Sequence, residues 1–275
     1  MIHRPSLALA AVLLALSASA QAHRPWLLPS ASEVDGKEPW VTVDAAVSEN
    51  LFDADTVAIK LDNLAITGPD GQPVKPEAVF HGKLRASAEV KLSQPGTYKF
   101  SLQNTSAMAS YTVNGESKRW RGPASELDKA LPAQAEGVQV SRTVQRLETY
   151  VSANANTDKT LAASGAGLEL LPLSHPGDLR VGERARFRVL LNGQPLANQE
   201  VAIVPGGVRQ RGVLKDFAAT SDAKGEFSVN WPLAQMYWLQ ASYPPRAPAP
   251  AAGQPRPPMP AERFVTAITV EAQQP

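Results

Sequence analysis

With 275 residues and no cysteine, this chain must stabilise itself through packed cores, and thiolate zinc, iron–sulfur and cysteine-nucleophile chemistry are excluded. Its 27 basic and 26 acidic side chains almost cancel, so it lacks the positive footprint that counterion release from a nucleic acid requires. The length allows one large core or two medium ones.

Residues 1–22 read as a signal peptide. Arg4 supplies the basic start, Leu7 to Leu16 form an apolar run too short to span a bilayer, and Ala20-Gln21-Ala22 has the small-x-small form of a cleavage site. The expectation is a periplasmic protein that starts at His23, exposes His23-Arg24-Pro25-Trp26 at its head and has no later membrane span. Removing Arg4 leaves 26 basic against 26 acidic groups.

From Pro39 to Val113 the pattern is that of short strands and turns: Trp40–Ala45, Val57–Leu61, Leu64–Ile66, Ala88–Leu92 and Thr97–Leu102, punctuated by Gly68-Pro69-Asp70-Gly71 and Gln94-Pro95-Gly96. Gly122 to Ala130 predicts a short helix. Val138–Val151 predicts a strand, because Val138, Val140 and Val144 share one parity. Ser152–Gly167 is small and polar, the composition of an interdomain boundary. Seven strands follow, at Leu168–Leu173, Arg184–Leu191, Glu200–Val204, Asp216–Thr220, Glu226–Asn230, Met236–Ser242 and Arg263–Val270, the number that makes a small Ig-like sandwich. The predicted architecture is all-β, with two Ig-like β-sandwich domains in tandem: 23–116, a connecting segment 117–165, and 166–275. Its proline-rich loop 244–260 cannot pair in a sheet interior.

The chemistry concentrates at the chain head. A free α-amine and the Nδ1 of a first-position histidine close a six-membered chelate ring on one metal ion, which no internal histidine can do. The amine has a pKa of about 7.7, so freeing its lone pair at pH 7 costs about 1 kcal/mol. Cleavage after Ala20 would instead put His23 third, the arrangement in which amine, backbone nitrogens and imidazole surround Cu(II) or Ni(II) in a plane. Three histidines survive processing: His23, His81 and His175. A second imidazole would come from His175, in the turn Ser174-His175-Pro176-Gly177-Asp178, or from His81, with Asp44, Glu49 and Asp53 as candidate oxygen donors. The five tryptophans are expected to fill the sandwiches. No Gly-x-Ser-x-Gly, phosphate loop or His-Glu-x-x-His occurs, so no enzyme is expected.

The segments Ala22-His23-Arg24-Pro25-Trp26-Leu27-Leu28-Pro29-Ser30, Gly167–Pro172, Leu179–Glu183, Leu191–Leu196 and Thr220–Phe227 resemble a bacterial periplasmic family of unknown function often labelled a nickel or cobalt uptake component. The resemblance implies two β-sandwiches, a periplasmic location and a metal-transport context, with a membrane or outer-membrane uptake system as partner. Relatives carry a further histidine soon after the first strand, whereas Asp44–Glu49 here holds none. The leading expectation is a periplasmic protein that binds or handles Cu(II) or Ni(II). Two other readings fit the residues: a non-catalytic Ig-like interaction protein of the cell envelope, and an oxidative copper enzyme with a histidine brace.

Overall fold

The computed structural model describes residues 23–245 and 258–275; the predicted leader and residues 246–257 of the proline-rich loop lie outside the described residues. In chain order the strands are β1 (Arg24–Pro29), β2 (Glu33–Val34), β3 (Trp40–Ser48), β4 (Val57–Ala58), β5 (Leu64–Thr67), β6 (Pro73–Val74), β7 (Ala78–His81), β8 (Ala86–Lys91), β9 (Gly96–Val113), β10 (Glu116–Pro123) and β11 (Glu136–Ala153). They continue with β12 (Leu168–Pro172), β13 (Arg184–Leu191), β14 (Gln194–Pro195), β15 (Glu200–Pro205), β16 (Phe217–Thr220), β17 (Glu226–Asn230), β18 (Gln235–Tyr243) and β19 (Glu262–Ala272). The predicted helix is a 3-10 turn at Ala124–Glu126 running into one α turn at Leu127–Ala130. No helix among the described residues is long and apolar enough to cross a membrane.

The chain is all-β and builds two sandwiches from three sheets. A ten-stranded sheet runs β16-β15-β18-β19-β11-β9-β5-β6, with β10 on β9 and β2 on β11. A five-stranded sheet (β1-β3-β8-β7, with β4 on β3) and a four-stranded sheet (β12-β13-β14, with β17 on β13) complete the fold. Side chains alternate between faces along a strand, and the long sheet uses both faces. Trp238 and Ala267 point into the core shared with the five-stranded sheet. Their neighbours Tyr237, Leu239 and Ile268 point into the core shared with the four-stranded sheet. The two sandwiches therefore stand on opposite faces of one continuous sheet.

β11 makes that continuity. It pairs antiparallel with β9 from Gln139 to Ala153 and parallel with β19 from Arg142 to Thr149. Residues 117–165 thus contribute most of β10 and all of β11 to the shared sheet, with the helical turns between them. β9 runs well past the end expected at Leu102 and, with β10 and the start of β11, forms an arm closed by a small core of Ala107, Ala109 and Leu127.

Each sandwich carries the same local lock. The Tyr98 hydroxyl donates to the Gln94 carbonyl (3.0 Å) and accepts from the Gln94 N–H (2.8 Å). Tyr237 does the same with Leu233, at 2.8 and 3.1 Å. A tyrosine closing on the backbone a few residues upstream is the corner that marks Ig-like sandwiches. Trp26, Trp231 and Trp238 are buried as expected, whereas Trp40 is exposed and Trp120 half-buried.

The chain head differs from its expected exposure. Arg24, Pro25 and Trp26 are buried in β1, and only His23 stays outside. β1 is an edge strand that pairs with β3 alone, so its prolines leave no ladder bond unmade. Its other side packs on the shared sheet, where Trp238 Nε1 donates to the Pro25 carbonyl at 2.9 Å.

On the four-stranded sheet, Glu226 accepts from Arg188 and from Arg186 (2.6 Å), and these bonds hold its carboxyl down from 4.5 to about 2. A carboxylate with a depressed folded-state pKa contributes stability that is complete above its unfolded pKa and lost as pH falls towards the folded one. Glu226→Gln is therefore expected to be less stable than the wild type at pH 7. Urea denaturation should show the deficit shrinking between about pH 4.5 and pH 2.

Candidate metal centre

The antiparallel register pairs Arg24 with Ser48, which sets His23 across from Glu49, the first residue after β3. The His23 Nε2 lies 3.5 Å from Glu49 Oε1, and both side chains are more than half exposed. A carboxylate facing Nε2 favours the tautomer with its proton there, leaving the lone pair on Nδ1.

Two anchors hold Glu49. Its carbonyl accepts from Arg24 NH1 (3.1 Å), and its N–H donates to Asp55 Oδ1 (3.0 Å). Asp55 also accepts from the Asn50 N–H (2.9 Å) and the Thr56 hydroxyl (2.9 Å). Desolvation pushes the Asp55 carboxyl up, but the bonds from Asn50, Glu49 and Thr56 together outweigh it and hold it below the usual carboxylate range. Burial lowers the pKa of the Arg24 guanidinium, opposed by the charge of Asp216.

Further along β1 the packing is aromatic. Trp26 Nε1 donates to Ser48 Oγ at 2.7 Å, and the Trp26 ring meets Phe52 edge-on at 5.8 Å. Phe52 adopts a left-handed φ of 69° and lies against Gly206 of the second sandwich. A Cβ at Gly206 would stand 3.1 Å from the Phe52 ring and from the Met236 carbonyl, so a larger residue there would push these neighbours back by a few tenths of an ångström.

The other histidines stand apart from this site. His175 Nδ1 accepts from the Gly177 N–H (3.0 Å), so the proton sits on Nε2, which lies 2.9 Å from Thr97 Oγ1 and 3.3 Å from the Thr157 carbonyl. Neither ring nitrogen is free in this arrangement. The ring brackets residues 157 and 175–177 to the start of β9. His81 ends β7, three strands from β1 in the five-stranded sheet, about 14 Å away at normal strand spacing. Among the candidate oxygen donors, Asp44 accepts from Ser87 and pairs with Arg85 (3.3 Å), while Asp53 Oδ2 is buried without a partner. The described residues contain no group of three or more His, Asp or Glu side chains placed to hold a metal ion. Glu49 was legible as a possible donor, but its place opposite His23 follows only from the β1–β3 register.

Fold and site define an all-β protein in which a histidine heads the buried edge strand of the first of two fused sandwiches. The chain belongs to the family described as a domain of unknown function, DUF4198, whose model matches residues 20–244. No curated protein matches the chain at a significant level. Among solved structures it is similar to the D0-D1 domain of intimin (12% identity, 90% of this chain and 97% of that one, TM-score 0.23). It is also similar to a Group B Streptococcus pullulanase (9% identity, 79% and 22% covered, TM-score 0.17) and to an ICAM-5 D1-D4 ectodomain fragment (8% identity, 91% and 77% covered, TM-score 0.20).

Proposed function

We propose that this protein is a periplasmic binding or handling protein for a divalent transition metal, Cu(II) or Ni(II), and that export creates its site by freeing the His23 amine. The observation that carries the reading is the pairing of an exposed His23 with Glu49 at the head of a buried strand. With Nε2 turned to the carboxylate, Nδ1 is the nitrogen left for a six-membered chelate with the α-amine. Glu49 then acts as the carboxylate partner that ligating histidines commonly have. A link to metal uptake rests on the family resemblance of the chain head.

The test is calorimetric titration of protein whose mass places the terminus at His23. Cu(II) or Ni(II) should bind one equivalent, and His23→Ala should abolish that site. A variant with one residue retained ahead of His23 should also lose it, because the amine becomes an amide. Glu49→Gln should weaken binding about 10- to 100-fold. Affinity should fall as the solution is made more acid, because protons compete with the metal for its nitrogen donors. Unchanged affinity in His23→Ala removes the reading.

A further inference from the structure

β7 is the open edge of the five-stranded sheet: β8 covers one side, and no described strand covers the other. Unpaired edges are normally blunted by charge, proline or a covering element. This one instead exposes Val79 (40%) and Phe80 (55%), with Leu84 (48%) in the adjoining turn. The hairpin closes through the Gly82 N–H bonded to the Arg85 carbonyl at 2.9 Å. In an antiparallel ladder every second residue bonds to the same neighbour. Phe80 and Ala78 therefore bond to β8, and the N–H and C=O groups of Val79 and His81 point outwards.

We propose that a second copy of this chain pairs antiparallel with this edge about a two-fold axis at Phe80, making one continuous sheet across the dimer. Three features select that register. Val79 and the partner copy's His81 become a hydrogen-bonded pair, using the outward-pointing groups of both. Phe80 meets its own copy as a non-hydrogen-bonded pair, where side chains approach most closely. Glu77, in the bend before β7, and the partner copy's Lys83, in the turn after it, flank the same end of the pairing, and the symmetry supplies this opposite-charge pair twice. An axis at Val79 would set Lys75 against Lys83. An axis at His81 would set Phe80 against the partner copy's Gly82 instead of against its own copy.

The edge is short, so the dimer belongs to the weak class of interface. Sedimentation equilibrium of the mature chain should show reversible dimerisation, complete by about 1 mM. Val79→Pro should leave a folded monomer, because the lost N–H bonds to nothing among the described residues and proline is tolerated on an edge. Glu77→Lys or Lys83→Glu alone should weaken association about tenfold, and the double exchange Glu77→Lys/Lys83→Glu should restore it. The charge exchange provides a readout should Val79→Pro fail to fold. A monomer throughout the concentration range, or a dimer indifferent to both the proline and the single charge reversals, overturns the proposal.

Discussion

Glu148→Ala is expected to cost about 3–5 kcal/mol of folding stability, the penalty for stripping a buried ionic cluster of one partner. Glu148 is only 1% exposed on β11. Its Oε1 accepts from Lys99 Nζ (3.0 Å) and Ser101 Oγ (2.9 Å) and stands 3.5 Å from Arg146 NH1. Without it, Arg146 keeps Glu169 (3.4 Å), Ser164 and the Ala166 carbonyl, but the buried Lys99 ammonium loses its counter-charge. At the entropy change expected of a chain this long, the loss is a fall in Tm of about 6–10 °C.

A neighbour supplies the control. The Tyr150 hydroxyl is buried without a hydrogen-bond partner among the described residues, and burial, reinforced by the charges of Glu148 and Glu169, raises its pKa well above the ordinary value. Tyr150→Phe removes that hydroxyl alone and should change stability by less than about 1 kcal/mol. A Glu148→Ala protein melting within a degree or two of the parent would show that the cluster contributes nothing to holding β9, β11 and the 161–169 segment together.

The second sandwich was legible in the sequence because its strands obey local rules. Arg184–Leu191 alternates exposed and buried residues, and Asn192-Gly193 and Asp222-Ala223-Lys224-Gly225 mark the turns. β1 was not legible: Arg24-Pro25-Trp26-Leu27-Leu28-Pro29 is packed on both sides, so it has no polar face to alternate with and carries two prolines besides. The outer half of β9 was hidden for the opposite reason. Gln103 to Ser106 offers too little apolar surface to signal a strand, which exists because β11 pairs along it. Pairing of β11 with β19, whose partners lie about 120 residues apart, leaves no local trace. The candidate site divides the same way. His23 is visible from the cleavage pattern, whereas Glu49 opposite it and Thr97 beside His175 are consequences of register.

Trp238→Ala should be equally costly, at about 3–5 kcal/mol, and should reach the chain head as well. Trp238 lies on a strand of the second sandwich, yet its ring fills the core of the first, 3% exposed, and its Nε1 holds the Pro25 carbonyl. β1 has ladder bonds on the β3 side only, so this indole fastens its other side near the start. Truncation opens a cavity in the core of the first sandwich and frees the Pro25 carbonyl, and the His23–Glu49 geometry loses its rigid support. Trp238→Phe keeps most of the volume but not the hydrogen bond, and should cost only about 1–3 kcal/mol, the penalty of leaving the buried Pro25 carbonyl unpaired. If a metal binds at His23, Trp238→Ala should weaken it about tenfold without touching a ligand, whereas Glu148→Ala, in a cluster on the opposite face of the shared sheet, should leave affinity unchanged wherever the protein is still folded. Equal affinity in Trp238→Ala and the parent, measured well below both melting temperatures, would mean that the chelate depends on the terminal residue alone and not on how β1 is seated.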